Sequence, residues 1–439
     1  MSSTIQTPPF TKKPSVERFI VASLICALGL TCFHGSTLHA QGLGEVDGAK
    51  QICSAGPEAQ LARAERLRGT AEVTAADVLP NPSLVVEHQR SLRGPTDEET
   101  VVGVSVPLGV GGRRSLLQDA AAARRDQAIA AADATLFESA IAFREAYASA
   151  VIDRRRVGVL EQQQAVLDEL SLTIAGLTRG GETAQYDLLR QRIQTQVHRR
   201  VLQSAKARAG ASLVRLEAWL GANVEIAATN PFDLAGGVAG DQRAVDEDRS
   251  RSLRLRSLDA DAQASGLEAR AAERRWVPEI ELFAGYRGTR VTQETGHGVA
   301  LSLRIPVTIF DHGQGEAARA RAAQEQARAN AELLRRENSA HLKSADAQLE
   351  TLSASVEEGE PLLADAASLL EKARQLYAAG EATITELLEA FRASEEARLE
   401  LLDLAEELVR ARLDRMRAAG TQLDATLDKA CHGTRRSAP

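Results

Sequence analysis

The side chains that could perform chemistry are scattered along the chain. None of the six histidines after residue 40 stands at metal-site spacing from a cysteine or carboxylate. The best metal candidate is His312 beside Asp311, although a surface turn explains that pair more simply. No phosphate-binding loop or nucleophile elbow occurs in the sequence. We therefore expect no catalytic residues, no metal site and no cofactor. The histidines are His88, His198, His297, His312, His341 and His432.

The composition predicts long helices. Of the 439 residues only 3% are aromatic, whereas Ala, Glu, Arg, Leu and Gln dominate long stretches. This is the composition of extended helices, because compact cores need large side chains to fill them. The net charge of −7 gives no electrostatic footprint for nucleic acid.

The first forty residues have the pattern of a secretory signal peptide. Lys12, Lys13 and Arg18 precede an apolar run over 19–33, and small residues follow it. The run is shorter than the about 20 apolar residues that a membrane-spanning helix needs. We therefore expect residues 1–40 to be a cleavable signal and the rest of the chain to be exported.

Two cysteines, Cys53 and Cys431, remain after the signal, one near each end. An exported protein enters an oxidising compartment, in which a pair of cysteines can persist as a disulfide. The even count and the terminal positions favour a bond that joins the two ends of the chain. Two unpaired thiols are the alternative.

The chain carries one pattern twice, 199 residues apart. The alternating segment around Pro107 returns around Pro306, and the sequence from Gly181 to an acid-Leu-Leu triplet returns from Gly380. Two kinds of landmark held at one offset indicate a duplicated structural unit.

Each copy begins with a predicted strand hairpin. Residues 83–92 and 100–108 form the first, and residues 280–287 and 299–305 form the second around a polar loop over 288–297. Strands of about ten residues with one apolar face match those of outer-membrane barrels. A soluble β-sandwich is the alternative. In lipid, four strands would leave open edges, so several chains would have to pool their strands.

A long antiparallel helical hairpin follows each strand hairpin. Residues 112–178 contain no proline, and at about 1.5 Å per residue they would span about 100 Å. Residues 315–379 are similar, with Pro361 as their one proline, a residue that can kink a helix. Glycine-bearing turns, as left-handed caps require, lead into return helices over 183–220 and 383–419. A coiled-coil scaffold is the alternative interpretation of these helices.

These features divide the chain into a signal peptide, two repeats and three connecting or terminal segments. The predicted segments are the signal peptide (1–40), an N-terminal periplasmic segment with a short helix (41–80), a first repeat (81–220) with strand hairpin 83–108 and helical hairpin 112–220, a periplasmic connection (221–250), a second repeat (251–420) with strand hairpin 279–308 and helical hairpin 313–419, and a C-terminal periplasmic tail (421–439).

A signal peptide, a duplicated unit of strand and helical hairpins, and the turn Gly-x-x-x-x-x-acid-Leu-Leu resemble the TolC-like outer-membrane efflux proteins. The resemblance covers about residues 81–420. Gly111-Gly112-Arg113 and Asp311-His312-Gly313 are most similar to the cobalt-zinc-cadmium resistance branch. The family implies a mainly α fold with a membrane β-barrel. Three chains pool four strands each into a twelve-stranded barrel, which continues into a periplasmic α-helical tunnel.

The resemblance implies transport and no catalysis. The chain would be the outer-membrane export duct of a tripartite efflux system, with heavy-metal cations as one candidate cargo. Its partners would be two further copies of itself, a periplasmic adaptor (membrane-fusion protein), an inner-membrane RND-type pump and outer-membrane lipid, without nucleic acid. It would lie in the cell outer membrane with a large periplasmic portion. The alternatives are the outer-membrane component of type I protein secretion, which shares this fold, and a periplasmic coiled-coil scaffold without a pore.

The resemblance also assigns roles to the turns of the helical hairpins. These turns are the tips that face the adaptor in the family, and they contain Arg179, Gly180, Gly181, Ala379 and Gly380.

Two acidic residues just beyond the second tip match the family's periplasmic constriction. Glu386 and Glu389 are three positions apart, so they share one helix face. Three copies would form an aperture of six carboxylates that attracts cations. Two ordinary solvated glutamates are the alternative.

Asp187 and Tyr377 match a pair that links neighbouring helices in closed family members. Ala382 stands where the best-known members have a gating arginine, and Tyr186 where they have a threonine. These departures indicate a gate held by fewer links.

Overall fold

The strand hairpins and helical hairpins occur in the predicted order in the computed structural model. It describes residues 42–92, 97–180, 185–221, 223–228, 230, 234, 252–291 and 294–420. The predicted signal peptide, most of the connection over 221–250 and the predicted tail lie outside these residues. The elements are α1 (Glu45–Ala55), α2 (Pro57–Asp77), β1 (Ser83–Arg90), β2 (Asp97–Leu108), α3 (Arg113–Gly180), α4 (Gln185–Leu220), α5 (Leu253–Glu273), β3 (Ile280–Val291), β4 (Glu294–Arg304), α6 (Gln314–Ala378) and α7 (Ile384–Ala419).

The four strands form one antiparallel sheet in chain order, β1-β2-β3-β4. The central contact, between β2 and β3, joins the two repeats. One cross-strand row pairs Val86 with Val102, Val102 with Tyr286, and Tyr286 with Val299. Because the side chains of a strand alternate between faces, this register places the apolar positions of all four strands on one face.

The predicted loop over 288–297 is mostly strand, which corrects the sequence interpretation. β3 continues to Val291, and β4 already begins at Glu294. The segment is polar and therefore reads as a loop, but its backbone pairs across the hairpin and its charges pair with β2. Arg290 lies 3.8 Å from Glu98. Cross-strand ion pairs of this kind support a polar sheet end.

The helices show that the repeat is longer than the sequence pattern indicated. The return helices α4 and α7 have 36 residues each and begin 199 positions apart, at Gln185 and Ile384. The 21-residue helices α2 and α5 begin 196 positions apart, at Pro57 and Leu253. The sequence predicted α2 but not α5. The duplicated unit therefore includes the helix that precedes each strand hairpin.

The long helices α3 and α6 have 68 and 65 residues. At 1.5 Å per residue, α3 is about 100 Å long. The helix α6 continues through Pro361. Within the described part of the chain, no helix is long and apolar enough to cross a membrane.

The largest core cluster lies midway along α3, where the N-terminal segment packs against it. Phe143 and Tyr147 are fully buried there. The hydroxyl of Tyr147 donates to the carbonyl oxygen of Leu43 at 2.8 Å, and Arg144 forms an ion pair with Glu45. These contacts fix residues 43–55 to the middle of the helical region.

Cys53, on α1, packs in the same core cluster. It is disulfide-bonded. Cys431, its predicted partner, lies outside the described residues, and the pairing stays a prediction.

Candidate functional site

The second tip is a short turn that the sequence specifies at both ends. Gly380 adopts a positive φ of 74°. Around it, the amide of Gly380 donates to the carbonyl of Tyr377 at 3.1 Å, and the amide of Glu381 donates to that of Leu376 at 2.9 Å. This pair of hydrogen bonds is the Schellman motif, which ends helices at a left-handed glycine. The predicted left-handed cap is therefore present at Gly380.

The return helix α7 starts with a capping box. The hydroxyl of Thr383 accepts from the amide of Glu386, and Oε2 of Glu386 accepts from the amide of Thr383 at 2.7 Å. The Thr383 backbone and hydroxyl bonds lower the pKa of Glu386, which is fully exposed. The spacing Thr-x-x-Glu is a sequence signature of this cap.

Glu386 and Glu389 both lie exposed at the start of α7. Glu386 is held back toward its own helix N-terminus by the cap, whereas Glu389 lies one turn further along α7. The two predicted constriction residues are therefore not equivalent. Glu386 has a structural role within the protomer, so of the two Glu389 is the better candidate for a carboxylate that acts on passing ions.

The first tip is only partly described. Arg179 is in the last turn of α3, where its Nε donates to the carbonyl of Ala175 at 3.1 Å. Gly180 is the last residue of α3. Gly181 lies outside the described residues.

Tyr377 lies in a small apolar cluster between the tip ends of α3, α6 and α7, where it is 6% exposed. Its phenol oxygen is buried and has no hydrogen-bond partner within the described residues. Burial, and secondarily the charge of Asp187, raise the pKa of Tyr377. The structure thus brings Asp187 and Tyr377 within electrostatic reach, but it shows no hydrogen bond between them inside one protomer.

Polar contacts that the sequence analysis missed connect the return helices α4 and α7. Arg190 donates to the hydroxyl of Thr385 at 2.6 Å, and Arg392 donates to Oε1 of Gln194 at 2.6 Å. A third contact, between His198 and Glu395, has a distance of 3.0 Å.

The duplication could have revealed these contacts. In each pair the partners are 195–198 positions apart. Equivalent helices of the two repeats lie side by side there, so positions close to the 199-residue offset meet.

The four-stranded sheet has two chemically different faces. On one face, Leu84, Val299 and Leu301 are each more than 70% exposed. On the other, Ser105 donates to Glu281 at 2.9 Å, and Glu281 also pairs with Arg304 at 3.1 Å. Contiguous exposed apolar faces of this kind mark contact with lipid or protein rather than water.

Two exposed apolar stripes lie on the helices near the tips. One follows the return helix α4 at steps of three or four residues, and the other follows α6 at steps of seven. Such spacings place the side chains of each stripe on one side of its helix. The α4 stripe is Tyr186, Leu189, Ile193, Val197 and Val201, and the α6 stripe is Leu362, Leu369 and Leu376.

Residues 244–421, which contain the second repeat, match the sequence model of a family described as "Outer membrane efflux protein". The described fold is also similar to solved structures. One reports conformational changes of CusC during folding and transmembrane channel formation, with a TM-score of 0.71 at 17% identity, over 86% of this chain and 91% of that one. Another is the outer membrane protein VceC of Vibrio cholerae, with a TM-score of 0.68 at 13% identity, over 87% and 96%. The resemblance to the TolC-like outer-membrane efflux proteins is confirmed.

The description of the matched family names the outer membrane and efflux, and the structure of VceC is also that of an outer membrane protein. These similarities indicate an outer-membrane location. A curated relative, the nickel-cobalt-cadmium resistance protein NccC of Alcaligenes xylosoxydans xylosoxydans, is 26% identical over 245 residues. The match covers 54% of this chain and about half, 53%, of that protein. Among the described residues, no group of three His, Cys, Asp or Glu side chains is arranged to hold a metal ion.

Proposed function

We propose that this chain is the outer-membrane export duct of a tripartite efflux system. The observation that carries the proposal is the sheet, whose apolar face is exposed and whose strands lead directly into helices about 100 Å long. A sheet of this kind suits lipid on one side and an aqueous lumen, lined by the ion pairs of Glu281 and Glu99, on the other. No reaction is proposed for this chain.

The duct is a homotrimer in this proposal. The outer strands β1 and β4 each pair on one side only within the protomer. Unpaired strand edges are not stable in lipid, so β4 of one copy pairs with β1 of the next. Three copies, the number that the resemblance to the TolC-like proteins implies, supply twelve strands, which is above the about eight that a membrane barrel needs.

The apolar stripes on α4 and α6 support the same assembly. In this proposal the α4 stripe, centred on Ile193, packs against the α6 stripe of a neighbouring copy, centred on Leu369. Each stripe is apolar at helix-packing spacing, and each is exposed on the isolated protomer. A ring of three would cover all six stripes and form a closed helical tunnel.

The tips are the docking surface for a periplasmic adaptor, and they lead to an inner-membrane RND-type pump. We assign Arg179, Gly180, Gly181, Ala379 and Gly380 to this surface. The short capped turn at Gly380 supports the assignment, because it holds the tip in one shape.

We assign the gate to the residues just above the tips. Glu389 and Glu386 of three copies form the acidic ring in this proposal, and Glu389 is the more available carboxylate. Tyr377 and Asp187 form the link between helices. The unpartnered phenol oxygen of Tyr377 supports a partner in a neighbouring copy.

Divalent metal cations are the proposed cargo. The name of the relative NccC refers to nickel, cobalt and cadmium resistance, and a ring of exposed carboxylates attracts cations. The second candidate is type I protein secretion, since the described fold suits it equally well.

Membrane fractionation tests the duct against a scaffold without a pore. We expect the protein in the outer-membrane fraction, extracted as a trimer by detergent only. Release by osmotic shock would support the scaffold. The cargo is tested by deleting the gene and exposing the cells to nickel, cobalt or cadmium. Unchanged metal tolerance together with lost export of a polypeptide would support type I secretion.

A further inference from the structure

His198 is a buried histidine that joins the two helical hairpins. It lies on α4 and is 1% exposed. Its Nδ1 lies 3.0 Å from Oε2 of Glu395 on α7, and its Nε2 lies 2.9 Å from the carbonyl oxygen of Leu160 on α3. The ring of Phe391 packs edge-on against the imidazole. The bond to Glu395 joins the two hairpins, whereas the bond to Leu160 stays within the hairpin that α3 and α4 form.

Both polar neighbours of this imidazole are acceptors. A carbonyl oxygen and an ionised carboxylate cannot donate a proton, and a neutral imidazole has one N–H and one lone pair. The neutral ring would therefore point its lone pair at an acceptor, at Glu395 or at Leu160. The imidazolium, with two N–H groups, satisfies both contacts. The geometry selects the charged form.

The surrounding charges act in the same direction. Burial disfavours the charged ring, but the hydrogen bonds to Glu395 and Leu160 outweigh it and raise the pKa of His198. From α3, Asp168 adds a further negative charge. The carboxylate of Asp168 also forms an ion pair with Arg199 of α4, at 3.2 Å.

Apolar clusters pack on both sides of this bond. One contains Leu160, Leu202 and Leu399, and the other contains Leu167, Leu370 and Phe391. The helical turns beside it carry Gln163 on α3 and Ser394 on α7, each with a buried oxygen that has no hydrogen-bond partner in the described part of the chain. Buried polar groups without partners oppose association. The bond of His198 to Glu395 is a polar contact that joins the hairpins beside these apolar clusters.

We propose that His198 is a pH-sensitive fastener between the two helical hairpins: charged, it binds Glu395 and Leu160 together, and after losing its proton it releases one of them. The inference rests on the fold and does not require that the protein be a duct. The raised pKa of His198 determines in which direction the stabilisation changes with pH. The stabilisation is fully present below the ordinary histidine pKa of about 6.5 and is lost as the pH rises through the raised pKa.

The first test follows the protonation of the histidines by NMR as the pH is changed. It uses detergent-solubilised, full-length mature protein with isotope-labelled histidine. The signal missing in His198→Gln identifies His198. His341→Gln serves as the matched control, because His341 is an exposed histidine on α6. We expect His198 to titrate above the ordinary histidine pKa of about 6.5. A His198 that stays neutral, or titrates at or below about 6.5, overturns the proposal. The titration itself is measured on the wild-type protein, and the variant serves only to assign the signal.

The second test measures the fastening itself. We expect the thermal midpoint of His198→Gln to lie below that of the wild type at about pH 5, and the gap to shrink by at least about half by pH 9. His341→Gln should show no such gap. Glu395→Gln should lower the thermal midpoint similarly. The midpoint of the double variant should lie no lower than that of either single variant. A gap independent of pH, or additive losses, overturns the fastener. Either result leaves the duct proposal untouched, since neither measurement involves transport.

Discussion

Leu301 and Ser302 are neighbours on β4 that test which face of the sheet contacts lipid. Leu301 is 73% exposed and pairs in one row with Ala284, Val104 and Leu84. Apolar rows lie on both sides of it, around Val299 and Leu303, so this row is near the middle of the apolar band. Ser302 points to the opposite face. A lysine at either position adds the same charge at nearly the same depth.

The expected effect follows from the cost of placing that charge in lipid. On the lipid face of an outer-membrane barrel, lysine near the bilayer midplane costs about 2–4 kcal/mol, and a polar lumen tolerates it. Because each protomer of a trimer carries the substitution, the assembled barrel would lose about three times that amount if the sites act independently. We therefore expect Leu301→Lys to fail in assembly and Ser302→Lys to assemble normally.

The assay compares the amount of detergent-extracted trimer in the outer membrane for both variants and the wild type, at matched expression. Refolding into phospholipid vesicles gives a second measurement without the assembly machinery of the cell. If Leu301→Lys assembles as well as Ser302→Lys, the exposed apolar face does not contact lipid, and the membrane sheet in the proposed function is wrong. Equal failure of both variants would contradict the assignment of the polar face to a lumen.

Three further predictions concern the helices. Ile193→Glu on α4 or Leu369→Glu on α6 should reduce the amount of trimer and release monomer in size-exclusion chromatography, because each places a charge in an apolar interface. The control, Arg192→Glu at an exposed position, should leave the trimer intact. An unchanged trimer in the first two variants would contradict packing of the α4 stripe against the α6 stripe. Gly380→Ala should lower the free energy of unfolding by about 1–2 kcal/mol because Gly380 has a positive φ. Gly210→Ala lies inside α4, where an added Cβ meets open space, and should raise the free energy of unfolding by about 0.5–1 kcal/mol, as measured by denaturant unfolding. Tyr377→Phe should raise single-channel conductance in planar bilayers without lowering the unfolding midpoint, since its oxygen has no partner in the described protomer; unchanged conductance would count against the link.

Local pattern was sufficient to predict most elements. The composition predicted the helix at Pro57–Asp77 and the return helices, and glycine and proline residues marked their ends. Helices that long are fixed by propensity summed over many residues. The alternation in β1 to β4 predicted the apolar face, because a strand has only two faces.

The errors occurred where pairing and packing override composition. Residues 288–297 are polar and suggest a loop, but strand pairing and the contact of Arg290 with Glu98 extend β3 to Val291 and start β4 at Glu294. The helix Leu253–Glu273 follows a segment that reads as a connection, and it was missed although its counterpart 196 positions earlier was predicted. The aperture role of Glu386 stays a prediction, whereas its bond to Thr383, which depends on where α7 begins, was not predicted.

The sequence by itself determined the duplication, the element types and the tips, because these depend on contacts between residues close in the chain. Only the tertiary structure decided which residues join the two copies. His198, for example, is one of six scattered histidines until the fold places Glu395 and the carbonyl of Leu160 on either side of its ring. The bond between them spans 197 positions. A single helix pattern contains no information about its neighbour at that distance, and burial between three helices is what turns an ordinary imidazole into a charged contact.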